Sequence, residues 1–203
     1  RINPVLSRYP DLCRVCTVHH TEKMIANDEK PSAAVRSGKD SSMRLAIEAV
    51  KNGDAGSVVS AGNTGALMAM SKLILKSLPG ITRPAIASVF PTMRGRTLVL
   101  DLGANIACDA ELLVQFAVLG TVYARVVMGI ENPTFGILNV GSEDMKGHEH
   151  VRGAASILSN VQLPGRYHGF VEGNDIAYGT VDVVVTDGFT GNVALKVAEG
   201  VAK

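Results

Sequence analysis

Ser57-Val58-Val59-Ser60-Ala61-Gly62-Asn63-Thr64-Gly65-Ala66 is an apolar run that empties into small polar residues and glycines and then into a helical pattern. The stretch predicts a strand, a tight turn and a helix. Gly62 and Gly65 let the backbone take positive φ and let a ligand approach the main chain, while Ser60, Asn63 and Thr64 offer hydrogen bonds at the first helical turn. Unpaired N–H groups at that turn, with the positive end of the helix dipole, favour an anion, phosphate first. Taken alone, the same residues also suit a plain strand-to-helix connection. The weight of the reading comes from three further segments of the same design downstream.

Upstream, Arg14 to His19 predicts a strand, and residues three apart on a strand point to opposite faces, so Cys13 and Cys16 would not share a metal. Thr21 to Lys39 is charged, contains Pro31 and Gly38, and reads as a loop with or without a short helix. Asp40-Ser41-Ser42 caps a helix whose Met43, Ala46, Ile47 and Val50 fall on one face, and Asn52-Gly53 stops it. Downstream, a helix from about Gly65 to Ser77 carries Ala66, Ala69, Met70 and Leu73. Pro84 to Phe90 and Thr97 to Asp101 read as strands joined by a short turn, a hairpin that makes the sheet mixed. A helix from about Asp109 presents Leu113, Phe116, Ala117 and Gly120. Phe135 to Asn139, Tyr167 to Glu172 and Val181 to Thr186 are strands, with a helix carrying Ala154, Ile157 and Leu158 between the first two, and the last helix begins near Val193.

Strands alternating with helices imply a three-layer α/β/α fold with a mostly parallel mixed sheet, in a single α/β domain over residues 1–203. In such folds ligands bind where the strands end, and four segments leave those ends: SAGNTG, DLGAN, NVGSEDMKG and TDGFTGN. On this reading all four face one crevice and bring backbone N–H groups, asparagines, aspartates and one lysine, Lys146, to a common rim. Gly, Asn and Asp are also ordinary turn and cap residues, and a lone lysine is most often a solvated surface charge. His148 and His150, two apart on a helix, should point in different directions.

Composition narrows the function classes. Hydrophobic residues make up 46% of the 203, charged residues 19%, and the net charge is +1, which suits a globular chain rather than a disordered one or a basic nucleic-acid binder. With no Trp and 4% aromatics there is no platform for stacking bases. Three cysteines are an odd count that suits free thiols and a reducing compartment, the cytoplasm by default. The sequence contains no G-x-x-x-x-G-K-[ST], no G-x-G-x-x-G at the first strand-to-helix turn and no G-x-S-x-G elbow.

The order and spelling of the segments resemble a known family. Lys39-Asp40-Ser41-Ser42-Met43, VVSAGNTGALMA, RPAI, LDLGAN with Cys108-Asp109, QFAVLG, GILNVGSE with KG, FVEGNDI and DVVVTDGFTGNVALK together look like the bacterial acyl-ACP:phosphate acyltransferases of phospholipid synthesis. The likeness runs from about Thr17 onward. It implies a phosphotransacetylase- and isocitrate-dehydrogenase-like fold, a homodimer, and a cytoplasmic protein peripherally associated with the inner face of the membrane. It also implies a reaction in which inorganic phosphate attacks the thioester of a long-chain acyl-[acyl carrier protein], with the acyl phosphate feeding a downstream glycerol-3-phosphate acyltransferase. Measured against that family, the chain is expected to lack a first strand with its Met-Gly-Gly-Asp loop and the carboxyl-terminal helices. It departs locally at Arg36-Ser37-Gly38, where the family carries more basic character.

Phosphate is already an anionic nucleophile and a thiolate leaves readily, so this chemistry needs neither a triad, a metal nor a cofactor; the site must hold and orient. The residues assigned to it are Lys146, Asn105 and Asn192 as stabilising and positioning groups. Ser60, Gly62, Asn63, Thr64, Gly65, Gly103, Gly141, Asp187, Gly188 and Gly191 are assigned to phosphate or acyl phosphate, with Lys146 expected in a water-poor cleft. Asp101 and Asp187 are expected to cap turns rather than act as bases, and Arg83, Arg94 and Arg96 to offer a basic face to the acidic carrier protein. Two alternatives stay open: a short-chain phosphotransacetylase using coenzyme A, and a membrane-bound scaffold for acyl carrier protein.

Overall fold

Proline, serine and glycine set the ends of the first helices. The computed structural model describes residues 2–202, and the chain divides into two units, one ending at Lys76 and one beginning at Ser77. In the first unit α1 spans Asn3–Leu6, α2 Pro10–Val15, α3 Pro31–Ser37, α4 Ser42–Asn52 and α5 Thr64–Leu75. Pro10 and Pro31 open α2 and α3, where the missing N–H costs nothing and the fixed φ is already helical. Ser41 caps α4 by accepting from the Arg44 N–H, and Gly53, at φ 84°, ends it in the left-handed region. Ile25, Ala34, Met43, Ile47, Ala66, Met70 and Ile74 form the core of this unit.

Two expected strands are absent here. Residues 57–60 form no strand and join no ladder among the described residues, and Val59 is 95% exposed. Their composition suits a strand, yet a strand exists only where a neighbour meets its N–H and C=O groups. Arg14 and Val15 belong to α2 instead, because Pro10 at the first position and Asp11 in the first turn are helix-start features that override the apolar residues following them. Cys13 therefore sits on a helix and donates through Sγ to the Leu6 carbonyl, while Cys16 is its cap; both are free and exposed. Leu73 is 58% exposed, and Ile74 takes the core position expected of it.

In the second unit Ala87–Thr92 (β1) and Gly95–Leu100 (β2) form the hairpin, turning at Met93-Arg94. Then follow α6 (Ala110–Val126), β3 (Thr134–Leu138), α7 (Glu149–Leu158), β4 (Arg166–Val171), α8 (Gly173–Tyr178), β5 (Val183–Val185) and α9 (Gly188–Val201). The sheet runs β1-β2-β5-β3-β4, with only the β1 pairing antiparallel. Alternation along the strands sorts the core. Leu98, Leu100, Phe135, Ile137, Val183 and Val185 meet α6 and α7 on one face. Val99, Val184 and Val171 meet α8 and α9 on the other. The result is the expected three-layer α/β/α arrangement with a mostly parallel mixed sheet.

α6 begins where expected, on Asp109, whose carboxylate accepts from the Leu112 N–H at 2.8 Å. α8 has no counterpart in the sequence reading, although Glu172 and Asp175 form a capping box at its start. α9 starts at Gly188 rather than near Val193, because Asp187 caps it through the Thr190 N–H and hydroxyl. Gly188 to Asn192 are thus its first turns and not a loop.

Candidate active site

Because β2, β5, β3 and β4 are parallel, their carboxyl ends share one edge of the sheet, and three of the glycine-rich segments start there. The segment after β2 is built on Asp101, which is fully buried. One carboxylate oxygen accepts from the N–H groups of Ile86 (2.9 Å), Gly103 (3.2 Å) and Ala104 (3.0 Å). The other accepts from the Asn105 N–H (2.7 Å) and side-chain amide (2.9 Å). Five donors replace the lost water, which is what lets a carboxylate stay in the interior. Asp101 therefore shapes the turn, as expected.

Asn105 gives its remaining amide hydrogen to the Pro84 carbonyl at 2.9 Å, so both hydrogens of the group are engaged in holding the turn. Its own carbonyl accepts the Gly188 N–H at 2.8 Å and lies 3.6 Å from the Cys108 thiol. The glycines explain how closely α9 docks. A Cβ on Gly188 would stand 2.6 Å from the Asn105 carbonyl oxygen, and one on Gly191 would collide with the Asp101 carbonyl oxygen. The N–H groups of Gly103, Gly188 and Gly191 all bond within this packing, to Asp101, Asn105 and Asp187. Gly188 and Gly191 serve close approach of backbone to backbone, while Gly103 stands at φ 133° against the Asn192 side chain; the N–H groups of all three are engaged within the protein. Asn192 differs: its side chain makes no hydrogen bond among the described residues, and its Nδ2 lies 3.0 Å from where a Gly103 Cβ would stand.

After β3 the chain loops from Asn139 to Gly147. The Asn139 amide donates to the Lys146 carbonyl at 3.0 Å, and the Arg152 guanidinium donates to the carbonyls of Met145 (3.3 Å) and Gly147 (2.9 Å). Gly147 stands at φ 87° with the Asn139 carboxamide oxygen in the space of a side chain, so only glycine fits there. Gly141 is buried beneath the Lys146 stem, with the Lys146 Cδ 2.5 Å from its missing Cβ. Lys146 itself is not in a dry cleft. Its side chain is 51% exposed and its Nζ lies 2.7 Å from Glu143 Oε1. That bond raises the Lys146 pKa and holds the Glu143 carboxyl below the usual carboxylate range. The rings of His148 and His150 stack, with centroids 5.3 Å apart and planes 10° apart. His148 precedes the first turn of α7 as its cap, so helical spacing does not govern where it points.

The fourth segment belongs to the first unit. Asn63 caps α5 by accepting from the Ala66 N–H, and its amide donates to the carbonyls of Ala26, Asn27 and Glu29. Gly65 lets α5 pass Pro31, whose Cγ would be 2.8 Å from a Cβ there. The Gly62 N–H donates to Ser60 Oγ at 3.2 Å, which leaves Ser60 and Thr64 as hydroxyls with further capacity at this turn. Asn63 is a staple.

One feature of the second unit was not read from the sequence. A groove of about 840 Å³ opens beside α9, polar at one end, where Asn139, His148, Asp187 and Thr190 line it, and apolar along Val193 and Val197. The i, i+4 spacing of those valines was its only trace. Among the described residues no group of three or more His, Cys, Asp or Glu is placed to hold a metal, and no helix is long and apolar enough to cross a membrane.

A model of the family described as fatty acid synthesis protein matches residues 1–203. Proteins named phosphate acyltransferase are similar along the whole chain: 64% identical in Rhodospirillum centenum and 61% in Paramagnetospirillum magneticum. The chain spans 57% and 58% of those relatives' own lengths. Among solved structures, the EutD phosphotransacetylase from Staphylococcus aureus matches with a TM-score of 0.63 at 15% identity, covering all of this chain and 72% of that one. A branched-chain phosphotransacylase from Enterococcus faecalis matches with a TM-score of 0.54 at 15% identity, over 91% of this chain and 71% of that one. At these identities the two structures bear on the fold alone.

Proposed function

This chain belongs to the fatty acid synthesis protein family, and from that membership we propose that the whole protein transfers a long-chain fatty acyl group from acyl-[acyl carrier protein] to inorganic phosphate. The observation that carries the reading is the 64% identity, over all 203 residues, to a protein named phosphate acyltransferase. A phosphate oxygen attacks the thioester carbonyl carbon and a tetrahedral oxyanion forms. The C–S bond then breaks, and the proton carried by hydrogen phosphate ends on the departing sulfur. The products are acyl phosphate and the free thiol of the carrier protein.

Within this scheme Asn192 contributes the unengaged amide and Lys146 the cation, once it turns from Glu143; an exposed pair of that kind is weak enough to exchange partners. Asn105 acts as a positioning residue through its grip on Asp101, Pro84 and Gly188, and Asp187 as the cap that orients α9. Ser60, Gly62, Thr64 and Gly65 are assigned to phosphate, with Asn63 holding their turn; Gly141 gives Lys146 the room to lie across it. The proposal extends to a homodimer that works at the cytoplasmic face of the membrane without a metal or cofactor and passes acyl phosphate to a glycerol-3-phosphate acyltransferase.

Two assays test this. The full-length protein should form acyl phosphate from palmitoyl-[acyl carrier protein] and phosphate in the presence of a chelator, and should use acetyl-coenzyme A far less well; dependence on added metal, or preference for acetyl-coenzyme A, would contradict it. Lys146→Ala should lower turnover on the order of a hundredfold, by analogy with single oxyanion-stabilising donors, and weaken carrier-protein binding less. Lys146→Arg, which keeps the charge and changes its shape, should restore part of the loss. Unchanged turnover in folded Lys146→Ala would remove this residue from the scheme.

A further inference from the structure

The loop from Asn139 to Gly147 fixes the main chain of Lys146 and leaves its ammonium against a single carboxylate. The Lys146 N–H donates to the Glu143 carbonyl at 3.0 Å, and the Lys146 carbonyl accepts from the Asn139 amide at 3.0 Å. Arg152 holds the carbonyls on either side, at Met145 and Gly147. From this anchored backbone the side chain crosses Gly141, and its Nζ meets Glu143 Oε1 at 2.7 Å. The other carboxylate oxygen lies over the same glycine: Glu143 Oε2 is 2.8 Å, and Lys146 Nζ 3.0 Å, from where a Gly141 Cβ would stand. Lys146 is the only cationic residue between Asn139 and Gly147, so the loop's one ammonium already faces an anion supplied by the loop itself. Two other acids lie near and neither competes for it. Glu172 adds to the field at Lys146 but is committed to the capping box of α8, and Asp144 makes no ion pair with Lys146 among the described residues.

Phosphate brought to Nζ while Glu143 stays in place would stand beside a like charge, and like charges a few ångströms apart destabilise one another. The arriving anion and Glu143 therefore compete for one cation. We propose that Glu143 is a latch on Lys146: its carboxylate occupies the place that inorganic phosphate takes, and phosphate must displace it to engage the site. The proposal rests on the acyltransferase reading, and it adds the residue that sets the affinity for the nucleophile. A contact already broken when phosphate is bound raises KM for phosphate and leaves turnover alone. A residue that aimed Lys146 at the oxyanion would do the opposite, since its loss would lower turnover.

The test uses the full-length protein and measures kcat and KM for inorganic phosphate at saturating palmitoyl-[acyl carrier protein] and constant ionic strength. Glu143→Gln, equal in size and without the charge, should lower the phosphate KM about two- to fivefold, the equilibrium factor of an exposed ion pair, and keep kcat within about twofold. Asp144→Asn removes the same charge one residue along but no contact with Lys146, and should keep the phosphate KM within about 1.5-fold of the parent's, as screening of an exposed charge requires. Equal falls in KM in the two variants would assign the effect to the general field of the loop and overturn the proposal. So would an unchanged or raised phosphate KM in Glu143→Gln, or a fall in its kcat of about tenfold or more, the behaviour of a residue that supports oxyanion stabilisation. If the parent protein forms no acyl phosphate from any thioester, the acyltransferase reading itself fails and the latch with it, a result distinct from an active enzyme whose phosphate KM ignores Glu143.

Discussion

Asp101 anchors the turn after β2 with five donors on one buried carboxylate, and no neighbouring cation takes part in those bonds. Replacing it with asparagine keeps the shape but turns one acceptor into a donor that faces N–H groups. Leaving buried donors unmet costs about 1–3 kcal/mol each, so Asp101→Asn should destabilise by about 3 kcal/mol or more, read as a lower denaturant midpoint. A fall of less than about 0.5 kcal/mol, the ordinary surface value, would show that the network does not hold the turn. Cys108 makes a second prediction. Burial pushes its thiol up to about 11 from an ordinary 9.0. Between those values the unfolded chain holds fewer protons than the folded one, so stability is full below about pH 9 and falls as pH rises toward about 11. Denaturant midpoints measured from pH 8 to 11 should show that slope, and Cys108→Ala should flatten it. Tyr167, pushed up to about 12 by burial, acts later and leaves the lower part of the window to Cys108.

At the scale of elements, what could be read from sequence was what is decided locally. α4 and α6 were legible because a cap and a periodic apolar face lie within a dozen residues of each other, as at Ser41 with Met43 and Ile47, or Asp109 with Leu113 and Phe116. β2 and β5 were legible as apolar runs. Residues 57–60 were misread because strand composition does not supply a neighbouring strand. The start of α9 was misread because Gly188 and Gly191 look like loop residues until the Asn105 backbone is seen against the first and the Asp101 backbone against the second. That packing reverses an ordinary expectation. Gly to Ala inside a helix usually stabilises by about 1 kcal/mol, but Gly191→Ala should destabilise by about 3 kcal/mol, since its Cβ meets a backbone oxygen that cannot turn aside. Gly200→Ala, with open space at the same helix's far end, should be neutral or stabilising. Thermal midpoints that move in the same direction for both would contradict the packing account.

For the molecule as a whole, the role of each residue in the four segments needed partners distant in sequence. Asn105 is spent on Pro84 and Asp101, twenty-one and four residues away, and Asn63 on carbonyls 34 to 37 residues upstream. Asn192 keeps its amide, a distinction invisible in the letters alone. The groove beside α9 was hidden for the same reason, since its walls come from β1, α8 and α9. The central claim, transfer of an acyl group to phosphate, is tested most directly by stoichiometry. The full-length protein is incubated with palmitoyl-[acyl carrier protein], with and without phosphate, while free thiol and acyl phosphate are measured together, the latter by hydroxylamine trapping and mass spectrometry. The account predicts thiol release only when phosphate is present, matched one for one by palmitoyl phosphate; thiol released without phosphate, or matched by free palmitate, would contradict it.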